Sequence, residues 1–348
     1  MESQHTFRLV QPTGVSRRVQ HRMLLGDGSI DMYCVRFDPQ DRYLAAGCGD
    51  GTIRIFNIMS GKLAYCLNQG QVRPGEDSKM PTTAVRWRPV TSAARTKNVL
   101  ISVLADGSVQ HWHTTSGKSI HKMYDISNPL NCLDVSPDGR AFATAGGDLI
   151  VRVFDEATKN CIVEFQGSAT TQGHSNRIYS VKFNPEDPNI LISGGWDNTV
   201  KVWDMREGVA VRSIYGPHIC GDALDIRGRE ILCGSWRESE QLQTYYLSTG
   251  ELIGTIDWDG GMGLPRSAEP CQVYSAQYSK HDHGEMIVAG GSKNNEVRFF
   301  DGMNLYKPFA CITDLAKAVF SIDFSNNGSV CAVTGSSGYI QILSVAKI

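Results

Sequence analysis

The sequence predicts an all-β protein built from seven copies of one four-stranded unit, closed into a ring. Three observations carry this. A short segment of alternating side chains recurs every 43 to 52 positions. A second such segment, whose fifth residue is aromatic or large and apolar, follows with that residue 21 to 27 positions later. Both have the period of two and the β-branched and aromatic content of strands, and no stretch holds a helical period.

The units follow in order. In the first, CVRF at 34–37 is strand A, and Asp38-Pro39-Gln40-Asp41 is a turn. The small-residue run Tyr43 to Gly47 is strand B, TIRIFN at 52–57 is strand C, and Ser60-Gly61 turns the chain into a short strand D. Unit two repeats this with AVRW at 84–87 and SVQHWH at 108–113, turning at Ser116-Gly117. Unit three has CLDV at 132–135, Ser-Pro-Asp-Gly at 136–139 and IVRVFD at 150–155. Unit four has SVKF at 180–183, Asn-Pro-Glu-Asp at 184–187, the run Ile190 to Gly194 and TVKVWD at 199–204. Unit five, with ALDI at 223–226 and QLQTYY at 241–246, diverges most. Unit six has SAQY at 275–278 and EVRFFD at 296–301. Unit seven has SIDF at 321–324, Ser-Asn-Asn-Gly at 325–328 and YIQILS at 339–344, and Ile348 follows before any strand D. The alternating piece Arg18 to Leu24 is expected to supply that strand beside 339–344, closing the ring.

Four-stranded units of this length with aromatic-Asp endings resemble the WD-repeat family of β-propellers, across essentially residues 19 to 348. The turn before strand C carries Asp50, Asp106, Asp148 and Asp197, and Ser239, Asn294 and Ser337 in the last three units. Trp203-Asp204 is the intact ending; Phe154-Asp155 and Phe300-Asp301 are conservative variants. The resemblance implies one domain, 1–348, a seven-bladed propeller. Its blades are expected near 31–67, 81–124, 129–166, 174–215, 219–257, 271–312 and 317–348, with 15–25 closing the last.

Composition removes several function classes. The 348 residues, 41% apolar without glycine, suffice for a large core. Lys plus Arg is 34 against 36 Asp plus Glu, a balance that disfavours generic nucleic-acid binding. No apolar run approaches the ~18 residues that span a membrane. The polar start Met1-Glu2-Ser3-Gln4-His5 lacks a secretory signal. No two of the ten cysteines lie closer than thirteen positions, so zinc and redox Cys-x-x-Cys motifs are missing and reduced thiols in a cytosolic compartment are expected.

Unit four brings together residue types that suggest a hydrolase: His174, Ser193 and Asp197, with Trp203. The resemblance implies that these four form a structural hydrogen-bond chain. No Gly-x-Ser-x-Gly elbow accompanies them. His281-Asp282-His283 reads as a solvated turn, and His111 and His113 as packing on one strand face. Gly47-Cys48-Gly49-Asp50-Gly51 is a strand-end turn. No catalytic residue, metal or cofactor is expected.

Function is therefore expected on the surface. In this family the start of strand A lines the channel mouth, which gives Tyr33, Thr83, Asn131, Tyr179, Asp222, Tyr274 and Phe320. The turn before strand C adds Trp196, Glu238 and Lys293. Tyr33, Tyr179, Trp196, Asp222, Tyr274, Lys293 and Phe320 form the expected partner-binding set, receiving a peptide segment with an apolar or basic side chain inserted. The loops Asn68 to Met80 and Trp258 to Arg266 are expected on the same face, the second as a wall or lid; Val90 to Asn98 is expected on the other. The expectation is a non-catalytic protein–protein scaffold, a monomeric propeller within a complex, with no nucleic acid and no membrane insertion. Its expected location is cytoplasmic, with a cytoskeletal or ciliary home. The alternative is a substrate receptor of a cullin-RING ubiquitin ligase, because Val202-Trp203-Asp204-Met205-Arg206 resembles the Trp-Asp-x-Arg signature and makes Arg206 an adaptor contact. An enzyme is the remote alternative.

Overall fold

The alternating segments become strands in a computed structural model that describes residues 7–15, 17–68, 80–90, 96–124, 128–167, 172–261, 263–281 and 284–347. Two strands precede the first blade, β1 (Arg8–Val10) and β2 (Arg17–Gly26). Blade 1 is β3 (Met32–Phe37), β4 (Tyr43–Cys48), β5 (Ile53–Asn57) and β6 (Leu63–Leu67). Blade 2 is β7 (Thr82–Trp87), β8 (Val99–Leu104), β9 (Ser108–His113) and β10 (Lys118–Tyr124). Blade 3 is β11 (Leu130–Val135), β12 (Ala141–Gly146), β13 (Val151–Asp155) and β14 (Cys161–Phe165). Blade 4 is β15 (Ile178–Phe183), β16 (Ile190–Gly195), β17 (Thr199–Asp204) and β18 (Val209–Tyr215). Blade 5 is β19 (Leu224–Arg227), β20 (Glu230–Gly234), β21 (Leu242–Tyr246) and β22 (Leu252–Thr255). Blade 6 is β23 (Gln272–Tyr278), β24 (Met286–Ser292), β25 (Val297–Asp301) and β26 (Lys307–Thr313). Blade 7 is β27 (Val319–Phe324), β28 (Val330–Gly335) and β29 (Tyr339–Lys347), with β2 as its outer strand. A 3-10 turn spans Gly302–Asn304, and among the described residues no helix is long and apolar enough to cross a membrane.

The apolar face of each strand packs against the neighbouring blade, so the core is divided into seven clusters, one in each cleft between blades. Burying each large side chain there is worth about 1.5–3 kcal/mol gross. The seventh cleft exists because the chain ends meet. Val330, Ala332, Ile340 and Ile342 of blade 7 pack with Val35, Phe37 and Leu44 of blade 1, beside Leu25 of β2. β2 runs antiparallel to β29 from Arg17 opposite Lys347 to Gly26 opposite Tyr339. The A–B turn of blade 7 adds a second fastening: the backbone N–H groups of Asn326 and Asn327 donate to Asp41 of blade 1 at 2.7 and 3.0 Å.

The third residue of the strand-A segment stitches blades together from inside the channel. Asp134, Asp225, Gln277 and Asp323 each accept the backbone N–H of the next blade's strand A, at Phe183, Tyr278, Phe324 and Phe37, within 2.8–2.9 Å. The turn before strand C repeats a left-handed residue around the ring: Gly51, Gly107, Leu149, Asn198, Glu240, Asn295 and Gly338, with φ from 47 to 83°. Glycine and asparagine suit this conformation; Leu149 occupies it at a steric cost.

Blade 6 has five strands, because β1 adds to its outer edge with Leu9 opposite Ile312. The other blades keep four. β1 covers that edge, so Pro308 to Ile312 of β26 are all buried, whereas the corresponding β6 and β14, which carry no covering strand, are mostly exposed.

Candidate functional site

The rim of the channel is made by a repeated irregularity. In six blades the A–B register shifts by one residue, between Met32 and Cys34, Thr82 and Ala84, Leu130 and Cys132, Ile178 and Ser180, Val273 and Ser275, and Val319 and Ser321. The unpaired residue at each shift is Tyr33, Thr83, Asn131, Tyr179, Tyr274 or Phe320. A bulged residue leaves the ladder and its side chain is re-aimed, here into the channel mouth. Blade 5 has no such shift, and Asp222 reaches the mouth from the segment before β19. Together these side chains line a cavity of about 280 Å³.

The aromatic rings touch in sequence around more than half the rim. Tyr33 stacks on Phe320 at 5.6 Å, and Phe320 meets Tyr274 edge-on at 5.6 Å. Tyr274 leans on Trp236, Trp236 on His218 and His218 on Trp196, at 6.3, 6.3 and 6.4 Å. Trp196 stacks on Tyr179 at 5.1 Å. Tyr33, at one end, and Trp196, next to the other end, remain 37% and 40% exposed. Blades 2 and 3 complete the rim with Thr83 and Asn131.

His218 and Trp236 are not among the residues the sequence reading selects. Counting back from the turn before strand C selects Glu238, because that turn is longer in blade 5. Counting forward from strand B finds the signal: Gly234-Ser235-Trp236 matches Gly194-Gly195-Trp196. His218 is fixed by three hydrogen bonds: its Nδ1 with Asn198 Oδ1 at 2.6 Å, its carbonyl accepting from Trp236 N at 2.8 Å and its N–H donating to Ser235 Oγ at 3.3 Å. Burial, and then Arg237 nearby, lower its basicity below that of a free imidazole. Trp196 Nε1 donates to the Cys220 thiol at 3.0 Å, and burial pushes that thiol up to about 12.

The charges expected to orient a ligand are engaged within the protein. Asp222 pairs with both Arg36 and Arg86, the latter at 2.8 Å. Lys293 and Glu238 pair with each other across the rim at 2.7 Å, and neither lines the cavity.

The Trp258 to Arg266 loop departs from its expected place as well. No described residue of it lines the mouth cavity; Met262 lies outside the described residues. Trp258 is buried against Phe300, and its indole donates to Glu296 at 2.5 Å. Arg298, fully buried, donates to the Trp258 and Pro265 carbonyls and pairs with Asp259 at 2.8 Å. The loop is therefore fastened to blade 6. Of the other loops, 69–79, 91–95 and 282–283 lie outside the described residues, including Arg95, Asp282 and His283.

In blade 4, Trp203 Nε1 donates to Ser193 Oγ at 2.7 Å, Ser193 Oγ meets His174 Nε2 at 2.7 Å, and His174 Nδ1 meets Asp197 Oδ2 at 2.7 Å. A neutral imidazole protonated at Nδ1 satisfies every member of this chain. Burial alone would raise the Asp197 carboxyl, but hydrogen bonds from His174, Ser175 and Thr199 hold it at about 2. Ser193 is fully buried and points into the sheet, away from the mouth. Arg206 lies at the turn after β17, 57% exposed, and its guanidinium is held by Asp204 at 2.7 Å and Asp187 at 3.4 Å.

Comparison with known proteins follows the same lines. The family model described as "WD domain, G-beta repeat" matches residues 20–57, 117–155 and 165–204. The chain is 24% identical over 311 residues to the Periodic tryptophan protein 2 homolog of Dictyostelium discoideum, covering 85% of this chain and 31% of that protein. It is 24% identical over 300 residues to the Ribosome biogenesis protein WDR12 homolog of Drosophila pseudoobscura pseudoobscura, covering 82% and 66%. It is 25% identical over 202 residues to the U3 small nucleolar RNA-associated protein 21 homolog of Schizosaccharomyces pombe, covering 58% and 20%. The chain thus spans between a fifth and two thirds of the length of these relatives. The last two names refer to ribosome biogenesis and a small nucleolar RNA, which overturns the expected cytoplasmic, cytoskeletal or ciliary location.

Proposed function

The chain is a WD-repeat β-propeller, and from that premise we propose that it is a non-catalytic scaffold that grips a protein segment at its channel mouth. The observation that supports this reading most is the continuous aromatic arc from Tyr33 to Tyr179 around an open cavity. Tyr and Trp bury large area with few rotatable bonds, and they dominate binding hot spots. The names of two relatives, one of ribosome biogenesis and one of a small nucleolar RNA, support an assembly that makes ribosomes as the setting. The ubiquitin-ligase alternative has no support beyond its short motif, and the Arg206 guanidinium is already engaged by two carboxylates.

The test is a double substitution, Tyr179→Ala with Trp196→Ala, in full-length tagged protein purified at moderate salt. Each truncation at a hot spot removes at least ~2 kcal/mol, about thirtyfold in affinity. The variant, shown to be folded by its melting curve, is expected to lose partners that wild type retains. Equal recovery of every partner would refute docking at the mouth.

A further inference from the structure

The floor of the mouth is electrically closed. Both guanidinium contacts to Asp222 fall on Oδ2, from Arg36 and from Arg86 at 2.8 Å. Arg86 is shared in turn with Asp134 at 3.0 Å. Deeper in the channel, Lys182 faces Asp225 at 3.5 Å and Lys280 faces Asp323 at 2.9 Å. Four cations therefore meet four carboxylates, and no net charge is left to attract an ion. A lysine or arginine brought to Asp222 would sit beside two guanidinium groups. A carboxylate brought to Arg86 would meet Asp222 and Asp134. Either would lose hydration without an unspent partner, which is costly in a concave apolar site.

One acceptor on the rim stands outside these ion pairs. Thr83 spends its hydroxyl proton on the Leu130 carbonyl at 2.8 Å. The rings of Tyr33, Tyr179, Tyr274 and Phe320 line the same cavity. The mouth thus combines aromatic rings with an acceptor, with room for one large side chain.

We propose that the mouth receives a neutral aromatic side chain carrying a hydrogen-bond donor, tryptophan or tyrosine, from the partner segment; this rests on the docking reading above. It replaces the basic side chain that the sequence suggested. The ring stacks within the arc, and its N–H or O–H donates to the Thr83 hydroxyl oxygen. Aromatic pairing of this kind discriminates by about threefold to tenfold over a cation that must share Asp222.

The experiment uses the full chain labelled with 5-fluorotryptophan and followed by fluorine NMR. Six resonances are present, and those of Trp196 and Trp236 are assigned from the W196F and W236F spectra. N-acetyl-L-tryptophanamide, N-acetyl-L-argininamide and N-acetyl-L-aspartate are titrated as probes. Tryptophanamide is expected to move the Trp196 and Trp236 signals but not that of buried Trp203, at a half-saturation about threefold to tenfold below argininamide. In Asp222→Asn, which removes one carboxylate from both arginines and leaves Arg86 its contact with Asp134, the aspartate probe is expected to gain at least about threefold. If that variant does not fold, the wild-type ranking decides alone. Argininamide binding as well as or better than tryptophanamide overturns this inference and leaves docking at the mouth standing. If no probe moves either signal, both fall together.

Discussion

Replacing Asp197 by alanine removes the acceptor of four donors at once. These are His174 Nδ1–H, Ser175 N–H, Thr199 N–H and Thr199 O–H, at 2.7, 3.0, 3.1 and 2.8 Å. The side chain is only 2% exposed, so solvent screening removes little of their effect. The carboxyl is held at about 2 against an ordinary 3.8, and each unit is worth 1.36 kcal/mol, so the loss at neutral pH is about 2–3 kcal/mol. Unfolding entropy of about 2.1 cal/mol/K per residue over 348 residues converts this into a fall of about 3–4 °C in melting temperature. The folded value lies below the unfolded one, so the stabilisation is complete above about pH 4 and is lost as pH falls through about 2. Differential scanning calorimetry of wild type and Asp197→Ala should show a gap that is flat from neutral pH to about 5 and closes on strong acidification. Equal melting at pH 7, or a gap that widens with acid, would refute the account. His174→Ala separates structure from catalysis: a variant that melts like wild type but loses a hydrolase activity would make the chain of four a catalytic device.

Three further outcomes are expected. Leu149 adopts φ 73° where other blades place Gly51, Gly107 and Gly338, so Leu149→Gly should raise stability by about 0.4–1 kcal/mol in urea titration; a lower midpoint counts against the strain argument. His111 is buried with both ring nitrogens unpartnered, and burial, then Lys159, His121 and Arg88, hold its pKa at about 3, with Glu156 at 3.9 Å insufficient to reverse this. Its neutral form is stable above pH 6.5 and loses ground from there down to about 3, so wild type should fall relative to His111→Leu by about 2–3 kcal/mol between pH 7 and 4.5; a pH-independent difference rules this out. A chain beginning at Asp27 lacks β1 and β2, exposing the edges of β26 and β29, and should aggregate or melt far below the full chain; a soluble product with unchanged melting would show that the ring closes without them.

What the sequence determined by itself is everything that depends on neighbours a few positions apart. Alternation of side chains placed strands A to C of every unit, and Gly, Asn and Asp clusters placed their turns, because pleat and turn conformation are properties of two to four consecutive residues. The chain Trp203–Ser193–His174–Asp197 was legible for the same reason: its members belong to one repeat. Tertiary structure decided what the closed ring brings together. Asp222 reads as a free acidic residue in the sequence, yet Arg86, 136 positions away, and Arg36 from another blade neutralise it. Trp236 escapes the count back from strand C because that turn is longer in blade 5, and His218 joins the rim from the segment between β18 and β19. β1 pairs with β26 and buries its edge, a contact between distant segments that the strand's own alternation does not reveal. Charges and edges find their partners across the ring, and the geometry of closure sets those distances.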